Sequence, residues 1–285
     1  MLCLERLGIA LEWNGSLKTP VLFCERPMLP RKEIIADGIS VCLGDFREWI
    51  PHGIEDVDCI LTDAPYEQIS HNATGRIRRN DGVIAPAPLA FDGIDGMRDD
   101  LLIRAKMKCS GWFITFCTSE GVAIWRDHIE KHGLKYKVPM VWIKNDSMPR
   151  FNGQGPSHGH EMLVSAWCGP GYSRWNGGGR RGLFEHNCNW PGRLAAHLGG
   201  HQTEKPISLM MELVSLFTNP GDTVLDPFMG TGTTGEACVR LGRKFIGIEL
   251  NPKWFTYSCK RIESALSQYD LFVDVQKPVQ TKMEI

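Results

Sequence analysis

The sequence predicts a doubly wound α/β fold, and two observations carry this prediction. Short apolar runs alternate with segments of helical periodicity from residue 39 to about residue 265. In one stretch, the apolar run Thr223–Leu225 leads through Asp226 into the glycine-rich turn Gly230-Thr231-Gly232. A helical segment follows, and a second apolar run ends at Glu249. This order of strand, glycine turn, helix, strand and acid is half of a nucleotide-binding α/β unit.

Each element of the fold has its own signal in the sequence. Apolar runs bounded by turn residues predict strands, and apolar residues three and four apart predict helices. Gly133 and Gly242 end two of the helical patterns as C′ glycines, and Pro206 suits the start of a third. The predicted strands are Ile39–Leu43, Val57–Thr62, Gly111–Cys117, Lys137–Ile143, Met162–Trp167, Thr223–Leu225 and Phe245–Ile248. The predicted helices are Phe46–Ile50, Asp99–Lys108, Glu120–His132, Ile207–Phe217, Thr233–Leu241 and Trp254–Ala265.

Length and composition limit the class of protein. A chain of 285 residues with 42% hydrophobic and 23% charged residues suits one large globular domain with an insert. The sequence contains neither a long apolar run nor a secretory start, which predicts a cytoplasmic protein without membrane spans. Its ten cysteines form no C-x-x-C pair, so we expect reduced thiols and no zinc. The net charge of −1 means that any nucleic-acid surface must be local.

The glycine turn narrows the choice of nucleotide. Gly230, Gly232 and Gly235 spell G-x-G-x-x-G, but a dinucleotide site would place its acid later than Glu249. A phosphate loop for ATP needs a lysine after the glycines, and none follows here. Glycines let a ligand approach the backbone, and an acid at the second strand can accept hydrogen bonds from a ribose diol.

Three segments resemble motifs of the S-adenosylmethionine (SAM) dependent DNA amino-methyltransferases. Asp226–Thr234 resembles D-P-F-x-G-[ST]-G-[ST]-T, and His201–Pro206 resembles H-x-T-[EQ]-K-P. Asp63-Ala64-Pro65-Tyr66 resembles the catalytic D-P-P-Y motif, with alanine in place of the first proline. Their order resembles the β-type permuted members of that family. The resemblance implies a doubly wound, Rossmann-like SAM-methyltransferase fold with a mostly parallel sheet and a small irregular target-recognition insert.

The chemistry of amine methylation explains the residue types of the second motif. An exocyclic amine of a base is a poor nucleophile because its lone pair is delocalised into the ring. A carboxylate (Asp63) and a backbone carbonyl (Ala64) that accept its N–H bonds stabilise the positive charge that develops on attack. Pro65 pushes residue 64 into the extended region, which aims that carbonyl, and Tyr66 offers a ring on which a flipped base can stack.

Residues 1–30 and 267–285 are weakly patterned, so we expect a loose N-terminal extension, or a segment upstream of the natural start, and a peripheral C-terminal tail. Between them, the resemblance implies that 31–167 form the catalytic half, 168–200 the target-recognition insert and 201–266 the SAM-binding half. It implies SAM as cofactor and double-stranded DNA as partner. A cognate restriction nuclease and the choice between monomer and homodimer stay open.

The resemblance and the local charge together assign three groups of residues, with no metal. The catalytic residues are Asp63, Ala64, Pro65 and Tyr66. The cofactor-binding residues are Asp45, Thr203, Lys205, Asp226, Phe228, Gly230, Thr231, Gly232, Thr233 and Glu249. The DNA-binding residues are Arg76, Arg78, Arg79, Arg174, Arg180 and Arg181.

The choice of base follows from one residue. Aspartate at position 63 favours N6 of adenine, because the cytosine-N4 enzymes more often carry serine there. Cytosine N4 remains an alternative. From a different class, a SAM- or nucleotide-binding module without turnover is a second alternative, suggested by the alanine at position 64.

Overall fold

The computed structural model describes residues 30–67, 93–147, 155–188 and 204–275, with side chains up to Gln268. Within these ranges the chain forms one ten-stranded sheet with helices on both faces. The predicted doubly wound α/β class is therefore confirmed. In the described part of the chain, no helix is both long and apolar enough to cross a membrane.

The sheet has the strand order β1-β2-β10-β9-β3-β4-β7-β6-β8, and β5 pairs with β7. Strands β2, β10, β9, β3 and β4 are mutually parallel, whereas β7 runs antiparallel to β4, β5 and β6. The strands are β1 Arg31–Ala36, β2 Ile39–Leu43, β3 Val57–Thr62, β4 Cys109–Cys117, β5 Lys135–Tyr136, β6 Met140–Ile143, β7 His160–Trp167, β8 Leu183–Glu185, β9 Thr223–Asp226 and β10 Lys244–Glu249.

Six α-helices cover the two faces of the sheet in the described ranges. They are α1 Phe46–His52, α2 Arg98–Lys108, α3 Gly121–Lys131, α4 Ile207–Phe217, α5 Thr233–Arg240 and α6 Pro252–Val275. Helices α1, α2 and α3 share one apolar cluster, and α4, α5 and α6 share the other. Alternate residues of β4 divide between them: Trp112 and Ile114 enter one cluster and Phe113 the other. Both faces of the central strands are thus buried, which explains their continuous apolar runs.

The order in which successive strands are added to the sheet reverses between β9 and β3. From β9 the chain passes through α5 to β10 on one side, and from β3 through α2 to β4 on the other. In a parallel sheet, ligands bind in the crevice outside the carboxyl ends of the strands at this switch point. Residues that follow β3 and β9, beginning with Asp63 and Pro227, therefore border the expected crevice.

Some element boundaries differ from prediction. Of the predicted strand Lys137–Ile143, only Met140–Ile143 forms a strand, β6, and it follows Pro139 and the exposed Val138. Pro139 lacks the N–H that a strand interior needs. Strands β1, β5 and β8 were not predicted, and α6 continues past the predicted end at Ala265. The proposed extension 1–30 lies outside the described residues except for Pro30.

Candidate active site

The ends of β3 and β9 are tied together directly. Ile60 pairs with Leu225 across the two strands. Further along this edge, Thr62 Oγ1 donates to Asp226 Oδ1 at 2.7 Å, although the two residues are 164 positions apart in the chain. The Asp63-Ala64-Pro65-Tyr66 segment and the glycine turn that follows Asp226 are therefore neighbours in space. One crevice can accommodate ligands of both segments.

The glycine turn adopts backbone conformations that other residues rarely take. Gly230 has φ of 53° and Gly232 has φ of 80°. A Cβ atom on Gly232 would lie 2.8 Å from Ser258 Cβ of α6. The turn thus requires glycine at position 232 both for its dihedral angle and for the close approach of α6.

Glu249 anchors the glycine turn from the end of β10. Its Oε2 accepts from Gly230 N at 2.8 Å, and its Oε1 accepts from Asn251 N at 2.7 Å. Burial raises the pKa of Glu249 above its ordinary value. Each carboxylate oxygen has a second lone pair, so Glu249 can accept a further hydrogen bond from a hydroxyl group.

Asp226 shapes the turn from inside, and its predicted contact with a cofactor stays a prediction. The residue is 2% exposed. Its oxygens accept from Thr62 Oγ1, from Thr234 Oγ1 at 2.6 Å and from Phe228 N at 3.1 Å. Burial raises the pKa of Asp226 to about 6. Its hydrogen bonds therefore hold β3, the turn and α5 together.

Three further residues predicted to bind the cofactor lie in the same turn. Phe228 is half-buried, with its ring centroid 5.1 Å from that of Phe46. Thr231 and Thr233 are buried, and their hydroxyl oxygens are 3.4 Å apart. These side chains line the base of the turn, while the first residues of α5 direct backbone N–H groups toward it.

Asp45 lies beside Glu249 but already has a partner. Gly44 N donates to Glu249 O at 2.9 Å, which places Asp45 next to the end of β10. The Asp45 carboxylate caps α1 and accepts from Arg47 N at 2.8 Å and from Arg47 Nε at 3.0 Å. Burial would raise the pKa of Asp45, but the hydrogen bonds from Arg47 lower it below its ordinary value. Its predicted contact with the adenine end of a cofactor stays a prediction.

The two carboxylate oxygens of Asp63 differ in their surroundings. Oδ2 accepts from Lys205 Nζ at 2.6 Å. Oδ1 is buried and has no hydrogen-bond partner among the residues that the structure describes. Burial raises the pKa of Asp63 above its ordinary value, and the Lys205 ammonium opposes this rise. A buried acceptor without a partner costs free energy unless a ligand satisfies it, so Oδ1 is suited to an N–H donor.

The rest of the motif is held in place by buried contacts. Ala64 is 2% exposed, and Tyr66 donates from its hydroxyl to Glu161 Oε2 at 2.8 Å. Ile94 N donates to Tyr66 O at 3.4 Å. The next residue, Glu67, is buried and forms an ion pair with the buried Arg98 at 3.4 Å. Pro65 lies between these fixed points, so the motif is anchored on both sides.

Lys205 lies against the catalytic motif. Its ammonium group donates to Asp63 Oδ2, and the contact with the carboxylate of a cofactor that the H-x-T-E-K-P resemblance implied stays a prediction. The same ammonium is 3.3 Å from Glu161 Oε2 and 3.3 Å from Tyr66 Oη. Burial alone would lower the pKa of Lys205, but Asp63 and Glu161 raise it above its ordinary value. The two nearby carboxylates therefore stabilise the charged form of this buried side chain.

Glu161 and Lys144 belong to this cluster, and sequence reasoning missed both. Glu161 is the second residue of β7, and its Oε1 forms an ion pair with Lys144, which follows β6. Burial works against the charged form of Glu161, yet Lys205 and Lys144 lower its pKa to about 2. The acid preceding the apolar run Met162–Trp167 was the available signal. Glu161 lies at the start of β7. It reaches the carboxyl ends of the parallel strands only because β7 runs antiparallel to β4.

Two of the arginines predicted to contact DNA have other surroundings. The Arg174 carbonyl accepts a hydrogen bond from Trp112 Nε1, and Gly169 lies next to Ser110 O, near the amino end of β4. Arg174 therefore lies toward the opposite end of the sheet from Asp63. Arg180 forms an ion pair with Glu212 of α4. Arg181 is exposed. The predicted residues Arg76, Arg78, Arg79 and Thr203 lie outside the described residues.

Comparisons with known protein sequences show that part of this chain is similar to DNA methylases. Residues 165–260 match the family model N6_N4_Mtase, described as DNA methylase. The chain is 32% identical over 143 residues to the type II methyltransferase M.XycI of Xanthomonas campestris pv. cyanopsidis, covering 47% of each chain. It is 28% identical over 152 residues to M2.DpnII of Streptococcus pneumoniae, covering 48% of this chain and 54% of that relative. The chain thus spans about half the length of these curated relatives.

Solved structures extend the similarity to most of the chain. The complex of M1.HpyAVI with SAM matches with a TM-score of 0.59 and 27% identity, covering 79% of this chain and 98% of that one. The PvuII DNA methyltransferase, which is cytosine-N4-specific, matches with a TM-score of 0.59 and 17% identity over 82% of this chain and 92% of that one. The second similarity concerns the fold alone. Among the described residues, no group of three His, Cys, Asp or Glu side chains is arranged to hold a metal ion.

Proposed function

We propose that this chain methylates the exocyclic amine of a base in double-stranded DNA, at N6 of adenine. Its similarity to the SAM-dependent DNA amino-methyltransferase family supports this activity. One observation carries the proposal. The hydrogen bond from Thr62 to Asp226 joins the end of β3 to the glycine turn, so that a base held at Asp63 and a cofactor held at Gly230 would be neighbours.

The residues of the glycine turn fit a SAM molecule. Gly230 and Gly232 leave the backbone of the turn without side chains, and Glu249 at the adjacent strand end can accept from a ribose hydroxyl. We assign Phe228, Thr231 and Thr233 to the same binding surface. When bound, SAM supplies an electrophilic methyl group on its sulfonium sulfur. Asp226 supports this surface from beneath, through its bonds to Thr234 and Phe228.

The residues after β3 orient the amine. Asp63 Oδ1 is a buried acceptor, and together with the Ala64 carbonyl it would accept the two N–H bonds of an amino group. These fixed acceptors stabilise the positive charge that develops on the nitrogen as it attacks. Tyr66, whose hydroxyl is bound to Glu161, offers its ring to a base turned out of the duplex. The chemistry requires no covalent bond between enzyme and base.

The division of labour along the chain follows from these roles. Residues 31–167 supply the acceptors for the amine, and 201–266 supply the surface for SAM. Residues 168–200, between them, are proposed to recognise the target, together with Arg76, Arg78 and Arg79 of the segment after Tyr66. Arg181 is the arginine of this insert that we assign to DNA.

The Asp63→Ala variant tests the proposal most directly. Loss of a fixed acceptor should lower kcat by at least about 100-fold, while the Kd for SAM changes less than about threefold, because Asp63 contacts the base. Transfer of radiolabel from SAM to unmodified double-stranded DNA measures kcat, and calorimetry measures Kd. Glu55→Gln, at an exposed carboxylate before the amino end of β3, is the matched control. An Asp63→Ala enzyme with wild-type kcat would exclude this role.

The identity of the base is read from the product. Mass spectrometry of nucleosides from the methylated DNA should give N6-methyladenine, as aspartate at position 63 favours. N4-methylcytosine would overturn the choice of base and leave amine methylation standing. A wild-type protein that binds SAM and transfers no methyl group to any DNA would support the alternative of a binding module without turnover.

A further inference from the structure

A cluster of charged and hydroxyl groups surrounds the Lys205 ammonium beneath Asp63. Its members come from separate parts of the fold: Asp63 and Tyr66 follow β3, Lys144 follows β6, Glu161 lies on β7 and Lys205 precedes α4. The Lys205 ammonium bridges Asp63 Oδ2 at 2.6 Å and Glu161 Oε2 at 3.3 Å. Tyr66 donates to that same Glu161 oxygen. Two carboxylates and two ammonium groups balance one another in this cluster.

We propose that Glu161 is a positioning residue for methyl transfer: by holding the Tyr66 hydroxyl and the Lys205 ammonium, it fixes Asp63 so that Oδ2 is occupied and Oδ1 faces the target amine. This inference rests on the proposed function of Asp63. It adds a residue that does not touch the base and acts through two residues that border the site.

The geometry explains why one carboxylate serves both purposes. Glu161 Oε2 receives Tyr66 and Lys205, whereas Oε1 receives Lys144. Lys205 is 5% exposed, so it has little freedom to reach water if Glu161 is lost. Without Glu161, Lys205 retains only Asp63 as a carboxylate partner among the described residues, and the Tyr66 ring loses its hydroxyl anchor. Both changes alter the direction in which Asp63 Oδ1 points.

Electrostatics support the same assignment. The negative charge of Glu161 raises the pKa of Asp63, while Lys205 and Lys144 lower it. The charges of Glu161 and Asp63 therefore interact across the shared ammonium group. Removing the charge of Glu161 should change the pKa of Asp63 measurably. The groups facing Asp63 are Lys205, Glu161 and Lys144, with Tyr66 at the cluster edge.

The first test is Glu161→Gln, which keeps the shape of the side chain and an acceptor for Tyr66 but removes the charge. We expect kcat for DNA methylation to fall about 10- to 100-fold, as is common when a residue that orients another is lost. The KM for SAM should change less than about threefold, because the glycine turn is untouched. Glu161→Asp, which retains the charge, should recover part of the lost kcat. Glu55→Gln, at an exposed carboxylate before the amino end of β3, should behave as the wild type.

The second readout requires no turnover. Carbon-13 NMR of protein labelled at the aspartate carboxyl, with the Asp63 signal assigned through Asp63→Asn, gives the titration of Asp63 in each variant. In Glu161→Gln that titration should move to lower pH, since a negative neighbour has been removed. Circular dichroism and the Kd for SAM verify that each variant is folded.

The outcomes separate the two ideas. A wild type that transfers no methyl group to DNA counts against the proposed function, and the NMR titration then still judges the coupling between Glu161 and Asp63. A Glu161→Gln variant with wild-type kcat counts against this inference alone. An Asp63 titration that is the same in wild type and Glu161→Gln also overturns it.

Discussion

Carboxylates at the candidate active site divide into those that face a ligand and those that hold the site. Asp63 leaves one oxygen without a partner among the described residues, so it can bind an amine. Asp226 accepts hydrogen bonds from Thr62, Thr234 and the Phe228 amide, so these bonds make it a support for the turn. Both follow or end a parallel strand at the same edge, and the sequence motif marks both equally. The difference between them emerges from the number of hydrogen bonds that each accepts inside the fold.

The burial of Asp226 predicts a pH dependence of stability. Its pKa in the folded protein is about 6, against an ordinary value of 3.8. The folded state therefore binds the proton more tightly than the unfolded state. The stabilisation is complete below pH 3.8 and is lost as the pH rises through about 6. This difference between the two pKa values corresponds to about 3 kcal/mol in the free energy of unfolding.

Comparison with Asp226→Asn isolates this contribution. Urea unfolding at several pH values between about 4 and 7 gives the free energy of unfolding of each protein. The free energy of unfolding of the wild type minus that of the variant should decline across this range as Asp226 ionises. The other groups titrate alike in both proteins, so their contributions cancel in this difference. A difference that stays constant with pH would show that Asp226 remains ionised throughout.

The central parallel strands were predictable because each is buried on both faces. Strands β2 and β3 have the predicted bounds, and β9 extends one residue beyond them. The edge strand β1 carries the polar sequence Arg31-Lys32-Glu33, and β8 has only three residues, so neither produces a recognisable apolar run. The site follows the same rule. Asp63 and Gly230 were predicted from local motifs, whereas Glu161 reaches the site only because β7 is antiparallel to β4.

The Lys205 ion pair could not be read from the sequence either. Lys205 and Asp63 are 142 residues apart, and the choice between Asp63 and a cofactor carboxylate depends on which anion the fold brings closer. The same holds for Arg180. Composition alone suggested a phosphate contact, but Glu212 of α4 lies within ion-pair distance. Long flexible cations pair with whichever anion the tertiary structure presents.

The close approach of the glycine turn to α6 gives a prediction about two glycines. Gly232 and Gly221 both have positive φ, 80° and 87°. A Cβ on Gly232 would meet Ser258 Cβ at 2.8 Å, whereas one on Gly221 would meet nothing within 4 Å. Gly221→Ala should therefore lower the free energy of unfolding by about 1–2 kcal/mol, the usual cost of a left-handed conformation. Gly232→Ala should cost at least about 1 kcal/mol more, because α6 must move.

Chemical denaturation of the two variants measures this difference. The Kd for SAM provides a second comparison, since Gly232 lies in the turn and Gly221 precedes β9. Gly232→Ala should weaken SAM binding, and Gly221→Ala should leave it unchanged. Equal destabilisation by both substitutions would mean that α6 moves away from the new Cβ atom at position 232 without lowering the free energy of unfolding.

At the scale of the whole molecule, the direction of the strands determines which surface can face DNA. Asp63, Glu161 and Lys144 all lie at the carboxyl ends of the central strands, although β7 runs the other way. If the proposed function is correct, a base that reaches Asp63 comes from a duplex lying across this edge. The segment after β7 starts near the amino end of β4, where Cys168 N donates to Gly111 O. It returns along β8, which is parallel to β6. Only the later part of the segment can approach such a duplex.

This geometry predicts opposite behaviour for two exposed arginines of the same segment. Arg181 precedes Gly182, whose carbonyl accepts from Val141 N, and β8 then runs toward the active-site edge. Arg181→Ala should reduce the slope of log Kd against log salt concentration by about one unit, the value for one lost phosphate contact. Arg174 lies toward the amino ends of the strands, so Arg174→Ala should leave the slope unchanged. Fluorescence anisotropy with a labelled duplex at several salt concentrations measures both slopes. A reduced slope in Arg174→Ala would mean that DNA also contacts the opposite end of the sheet, and the single approach surface argued here would be wrong.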